Sequence, residues 1–128
     1  MIRIIVAILL IVHGLVHLLG FVVPWRLATV EGLAYKTTLL SGRLDVGEAG
    51  IRVVGLLWLL AAVGFVVAGV TVFALHPWWR AVTLSVTLVS LVLCVLGWPD
   101  TRPGVLINLV ILGYLLFGGR MGWLPRLQ

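Results

Sequence analysis

Residues 50–75 read GIRVVGLLWLLAAVGFVVAGVTVFAL, and no charged side chain interrupts them after Arg52. A helix needs about 20 consecutive apolar residues to cross the hydrocarbon core of a bilayer, so this block spans it with residues to spare, tilted or projecting. Working outward, similar apolar blocks lie at about 4–23, 79–98 and 104–119. The expected fold is all-α: a four-helix transmembrane bundle, one integral membrane domain over residues 1–128. Its helices are expected at about 4–23, 48–75, 79–98 and 104–119, with a cap at about 25–47 that is a short extramembrane hairpin or helix between helices 1 and 2.

Composition agrees with a membrane solvent. Hydrophobic residues make up 62% of the 128 and charged residues 10%, against about 45–50% and 25% in soluble domains. Net charge is +5, yet the basic residues stand singly, so no stripe follows a phosphate backbone and nucleic acid is not an expected partner. The basic residues read instead as membrane anchors. Cys94 is the single cysteine, which rules out an intramolecular disulfide or a dithiol redox pair. Arg3 ahead of an apolar run imitates a signal peptide, but the run is too long and no Ala-x-Ala site follows, so helix 1 is read as retained.

The breaks between blocks carry recognisable punctuation. Pro24 stops helix 1, and Trp25 and Arg26 mark the headgroup level. Asp45 and Glu48 stand three apart at the start of helix 2, as in a capping box. The segment His76 to Arg80 is a tight turn, which sets helices 2 and 3 antiparallel and adjacent. Gly118, Gly119 and Arg120 are expected to cut helix 4 short. Within the cap, Tyr35 to Leu44 surrounds the Ser41-Gly42 pair with β-branched and polar residues, the pattern of a small hairpin. A surface helix over Trp25 to Ala34 is the alternative.

Four spans put both termini on one face, with Arg3, Arg80, Arg120 and Arg126. The other face holds Arg26, Lys36, Arg43, Arg52 and Arg102 with all four acids, Glu31, Asp45, Glu48 and Asp100. Counting Lys and Arg alone leaves the faces nearly even. Ion pairing on the acidic face favours cytoplasmic termini, and the expected location is a bacterial cytoplasmic (inner) membrane.

Two patterns concern the interior. Thr83, Thr87, Ser90, Cys94 and Gly97 share one face of helix 3, and Ala61, Gly64, Ala68 and Gly69 cluster on helix 2. Small and weakly polar residues of this kind let helices approach closely in lipid and share hydroxyl bonds. The second pattern is ionisable or amide side chains at membrane depth. His13 and His17 are four apart on helix 1, hence on one face, and must turn inward because lipid exposure is costly. Glu48, Arg52, Asp100 and Asn108 fall in the same half of the bilayer. These six are the candidates for ligand binding or proton transfer, while no catalytic residue is identified. Competing structural roles are a Glu48–Arg52 pair, an Asp100–Arg102 turn, and inter-helix hydrogen bonds from Asn108 and the histidines. Two histidines alone do not make a zinc site, so no metal is expected.

The segments His13-Gly14-Leu15-Val16-His17-Leu18-Leu19-Gly20-Phe21, Lys36-Thr37-Thr38-Leu39-Leu40, Gly55 to Ala62 and Trp98-Pro99-Asp100 to Asn108 resemble a group of small bacterial four-helix membrane proteins. Members of that group often carry the label ABC transporter permease, although no segment here resembles a coupling helix for an ATPase. More distantly, His13-Gly14 and Glu48 are similar to the DoxX-like family. Some DoxX relatives are subunits of quinone-linked oxidoreductases. The leading expectation is a non-enzymatic bundle that binds a small hydrophobic ligand or a partner subunit, without a cofactor. It associates with itself or with a larger membrane partner, because four short helices bury little surface. The alternatives are a DoxX-like subunit of a quinone-linked redox system, with quinone as ligand, and a transporter component.

Overall fold

A computed structural model describes residues 1–125. Arg126, counted above with the terminal face, lies outside them. Five helices and one hairpin follow in the order α1 (Ile2–Val16), α2 (Leu19–Val22), β1 (Thr38–Leu39), β2 (Leu44–Asp45), α3 (Gly47–Phe73), α4 (Trp79–Leu96) and α5 (Arg102–Met121). Together α1 and α2 form the first of four helical spans that are long and apolar enough to cross a membrane.

The first span is not continuous, and a side chain is the reason. The ring Nδ1 of His17 donates to the His13 carbonyl at 2.8 Å, taking the acceptor that the His17 backbone N–H would use in an α-helix. That N–H turns instead to Gly14 O, and Leu18, Gly20 and Phe21 also bond three residues back. A group inserted into the helical ladder is a recognised cause of such a break.

The helices pack in chain order: α1 and α2 on α3, α3 on α4, and α4 on α5. Close approach of α1 to α3 depends on glycine. A Cβ on Gly69 would lie 2.8 Å from Ala7 O, and one on Gly14 would lie 2.9 Å from Ala62 O. The core between them holds Ala7, Leu10, Ala61, Phe65, Ala68 and Val72, with Val86 and Leu93 from α4. The small-residue face of α4 is buried through Thr83, Thr87, Ser90 and Cys94, while Gly97 caps the helix. Thr83 and Thr87 donate their hydroxyls to Trp79 O and Thr83 O in their own helix, so of the expected shared hydroxyls only Ser90 bridges helices.

Three local expectations change. Val46, not Asp45, is the N-cap of α3, and no side chain closes a capping box there. Asp45 Oδ1 accepts from Gly47 N at 3.0 Å. Residues 25–34 form no helix; they turn, with a bridge between Val30 and Leu33. Helix α5 runs through Gly118 and Gly119 to Met121, where Gly122 turns left-handed at φ 71°. The glycines make room rather than end the helix: Leu124 folds back so closely that a Cβ on Gly118 would meet it at 2.9 Å.

The hairpin expected around Ser41-Gly42 is present, with Thr38 opposite Asp45 and Leu39 opposite Leu44. Its tip reaches across the bundle, where Leu40 N bonds Leu96 O at 2.8 Å and Ser41 N bonds Trp98 O at 3.1 Å. A strand pair this short is unstable alone. Its anchorage to the α4–α5 turn makes it a fixed lid over one end of the bundle.

Candidate functional site beneath the cap

Two of the six candidate residues meet through Ser90. A carbonyl only accepts, so His17 Nδ1 carries the proton it gives to His13 O, and in the uncharged ring Nε2 is the acceptor. The Ser90 hydroxyl donates to that Nε2 at 2.6 Å and accepts from Asn108 Nδ2 at 2.8 Å. The chain of bonds thus ties α1, α4 and α5 together. Asn108 Nδ2 also lies 3.5 Å from Cys94 Sγ. Asn108 and Ser90 have no exposed surface, and His13 and His17 are buried.

Both imidazoles rest on aromatic rings of α3. His13 stands edge-on to Phe65 with centroids 4.7 Å apart, and His17 lies 5.1 Å from Phe65 and 5.2 Å from Trp58. The two imidazoles themselves meet at 4.6 Å. His13 Nε2 and Asn108 Oδ1 are buried without a hydrogen-bond partner among the described residues. In a bilayer, water does not compensate such groups, and each is costly.

The other three candidates stand apart from this network. Glu48 does not pair with Arg52, four residues on; it accepts from Arg26 at 2.8 Å, and both side chains are more than half exposed. The Arg52 guanidinium sits 5.9 Å from the Trp25 ring centre, while Trp25 Nε1 donates to Arg52 O at 3.0 Å. Asp100 pairs with Lys36 of the cap rather than with Arg102, which stacks 5.1 Å from the Trp98 ring centre. Glu48 and Arg52 are therefore rim residues. Proximity along the chain misleads here because the folded cap brings in closer partners.

Between the network and the rim lies a cavity of about 250 Å³. Its wall is mainly apolar, with Ile51, Val54 and Trp58 from α3, Leu19 and Gly20 from α2, and Leu39 from the hairpin. His17 and Cys94 form part of the wall, and Lys36, Thr38, Asp100 and Thr101 lie on it too. The Thr101 hydroxyl is already given to Cys94 O. The sequence does not single out Lys36 or Trp58 as site residues, and it marks Ser90 for helix packing alone. Ser90 is placed on the small-residue face, but nothing in its spacing separates it from Thr87. Lys36 carries one hint, as the single lysine among nine basic residues.

Four apolar spans, with ionisable groups confined to the interior, the cap and the helix ends, make this a multi-pass membrane protein. The chain matches no family model, no curated protein and no solved structure. Further conclusions therefore rest on its own geometry.

Proposed function

We propose that this is a non-enzymatic membrane protein that holds a small hydrophobic molecule in the cavity under its cap. Its setting in this reading is a bacterial cytoplasmic membrane, with both termini in the cytoplasm. The cavity is the observation that carries the proposal: a mainly apolar space of about 250 Å³ with a few polar groups on its wall. Ligand sites combine these features, and an engineered apolar cavity of about 150 Å³ already takes up benzene.

The quinone reading has less support. Both ring nitrogens of His17 are engaged, so a quinone carbonyl has to displace Ser90 to reach one. Transport requires a path through Phe65, Ala68 and Val72, each with no exposed surface. An additional protein partner has one surface in its favour. The outer face of α5 leaves Leu106, Val110, Leu116 and Phe117 exposed, and lipid or a second chain covers it.

Native mass spectrometry after mild detergent extraction tests the proposal, with a spin-labelled or deuterated alkane as probe. The wild-type protein is expected to retain one probe molecule, and Val54→Trp, which fills the cavity, to lower retention about tenfold, equivalent to 1.4 kcal/mol. Equal retention by a folded Val54→Trp protein overturns it.

A further inference from the structure

On one side the cavity is lined by helices that do not pack on each other. Contacts run from α1 and α2 to α3, then to α4 and to α5, and the arc does not close with comparable packing of α5 on α1 or α2. Yet both ends of the arc line the cavity, through Val16 and Leu19 on one side and Pro103 and Gly104 on the other. Val16, Leu19 and Pro103 are exposed. They belong to the first and last of the apolar spans, so in a bilayer this side would face lipid.

The hydrogen-bonding capacity of the wall is concentrated at its outer end. His17 and Thr101 are spent on protein acceptors and donors. Lys36 Nζ has three protons, one of them used by Asp100 Oδ2, and the second carboxylate oxygen has no partner among the described residues. These two side chains are 45% and 36% exposed, which places the pair at the boundary between cavity and water. Their charges cancel. An acidic head would meet the Asp100 carboxylate, and a cationic head would meet the Lys36 ammonium. A hydroxyl is complementary to both, donating to one and accepting from the other.

Resting on the reading of the cavity as a ligand site, we infer that its ligand is a single-chain membrane lipid with an uncharged hydroxyl head. The head sits at Lys36 and Asp100, beside the Thr38 hydroxyl, and the chain leaves between α2 and α5 into the bilayer. Size supports one chain: a space of about 250 Å³ takes a ring or a short length of hydrocarbon. The rest of the tail stays in lipid, so no large internal tunnel is needed. Pairing the head with an ion pair adds selection that an apolar wall alone does not provide, because apolar pockets discriminate weakly between similar chains.

Photo-crosslinking in phosphatidylcholine nanodiscs tests this. Five probes share one diazirine-bearing hexadecyl chain: hexadecane, hexadecanol, hexadecyl sulfate, hexadecyltrimethylammonium and hexadecylphosphocholine. Hexadecanol is expected to label peptides containing Val16, Leu19 and Pro103 about tenfold more than any charged or zwitterionic probe. The double variant Lys36→Met with Asp100→Leu is expected to lower hexadecanol labelling to the hexadecane level while leaving hexadecane labelling unchanged. If all heads label equally and Val54→Trp removes the labelling, the head inference fails and the ligand-binding reading stands. Preference for the sulfate, the ammonium or the phosphocholine likewise overturns the head chemistry. Absence of labelling by every probe, hexadecane included, overturns the ligand-binding reading itself.

Discussion

At the uncapped end, α3 and α4 are joined by the short segment Ala74 to Trp78, and Ala7, Ala68, Val72 and Thr83 fill the space between helices. At the capped end, the same helices surround a cavity, and a long loop with its hairpin is needed to roof it. The difference lies in how the first span meets its neighbours. Near the uncapped end it is regular and lies against Gly69 of α3. Towards the cap it breaks at His17 and Leu18 and continues as α2 against Trp58 through Gly20. Dense packing and binding space are thus divided along the membrane normal. The histidine–serine–asparagine network marks the boundary.

The comparison is most easily broken at its packed end. Gly69→Leu is expected to cost about 3 kcal/mol, the upper range for overpacking, because its Cβ would meet Ile11 Cγ1 at 2.5 Å and backbone at 2.8 Å. Reversible unfolding of the purified protein in mixed micelles measures this, and tolerance of the leucine would mean that the ends are packed alike. At the boundary, Ser90→Ala leaves His17 Nε2 and Asn108 Nδ2 without their hydroxyl and is expected to cost about 1–2 kcal/mol. Thr87→Val is the sharpening control. Its hydroxyl returns to its own helix, so the loss should stay below about 0.6 kcal/mol, the average for hydrogen bonds between helices in membranes.

Effects at the capped end should be smaller and local. Lys36→Met removes a half-exposed ion pair worth about 1 kcal/mol or less. Amide exchange at Leu40 and Ser41 should quicken, since that pair helps to hold the hairpin over the α4–α5 turn. Exchange at Gly69 should not change.

The smallest effect concerns Asp45. The Gly47 N–H, followed by the Thr37 hydroxyl, holds its carboxyl below the ordinary carboxylate range. A lowered folded pKa means stabilisation that is fully present above the unfolded value, about 3.9, and lost as pH falls through the folded one. The protection factor of the Gly47 amide, its exchange rate relative to the free peptide at the same pH, should therefore be unchanged from pH 7 to pH 5 and fall relative to that of Gly69 below about pH 4. A fall already between pH 7 and pH 5 would contradict this assignment.

The spans are legible in the sequence because lipid demands unbroken apolar stretches, and that demand is local to each helix. The hairpin is legible for a related reason: Ser41 and Gly42 carry positive φ values at its tip, and Gly42 favours such a conformation. Partner choice at the rim is not local. Glu48 reads as the neighbour of Arg52 at helical spacing, whereas the folded cap delivers Arg26 from 22 positions away. Asp100 likewise finds Lys36 at a separation of 64. Placing His13, His17 and Asn108 in the interior follows from the cost of polar groups in lipid. The hub role of Ser90 does not, because a hydroxyl on this face bonds either its own helix, as Thr87 does, or a neighbour. The break after Val16 is also hidden, since it depends on one imidazole proton choosing a carbonyl four residues back.

Packing in chain order has a consequence for biogenesis. Each span after the first leaves the ribosome to find its main packing surface already made, so α3 can join α1 before α4 exists, and α5 completes the set. The hairpin is the exception: synthesised before α3, it must wait until Leu96 and Trp98 emerge to supply carbonyls for Leu40 and Ser41. The roof thus settles only after α4 is made, although it is translated before α3.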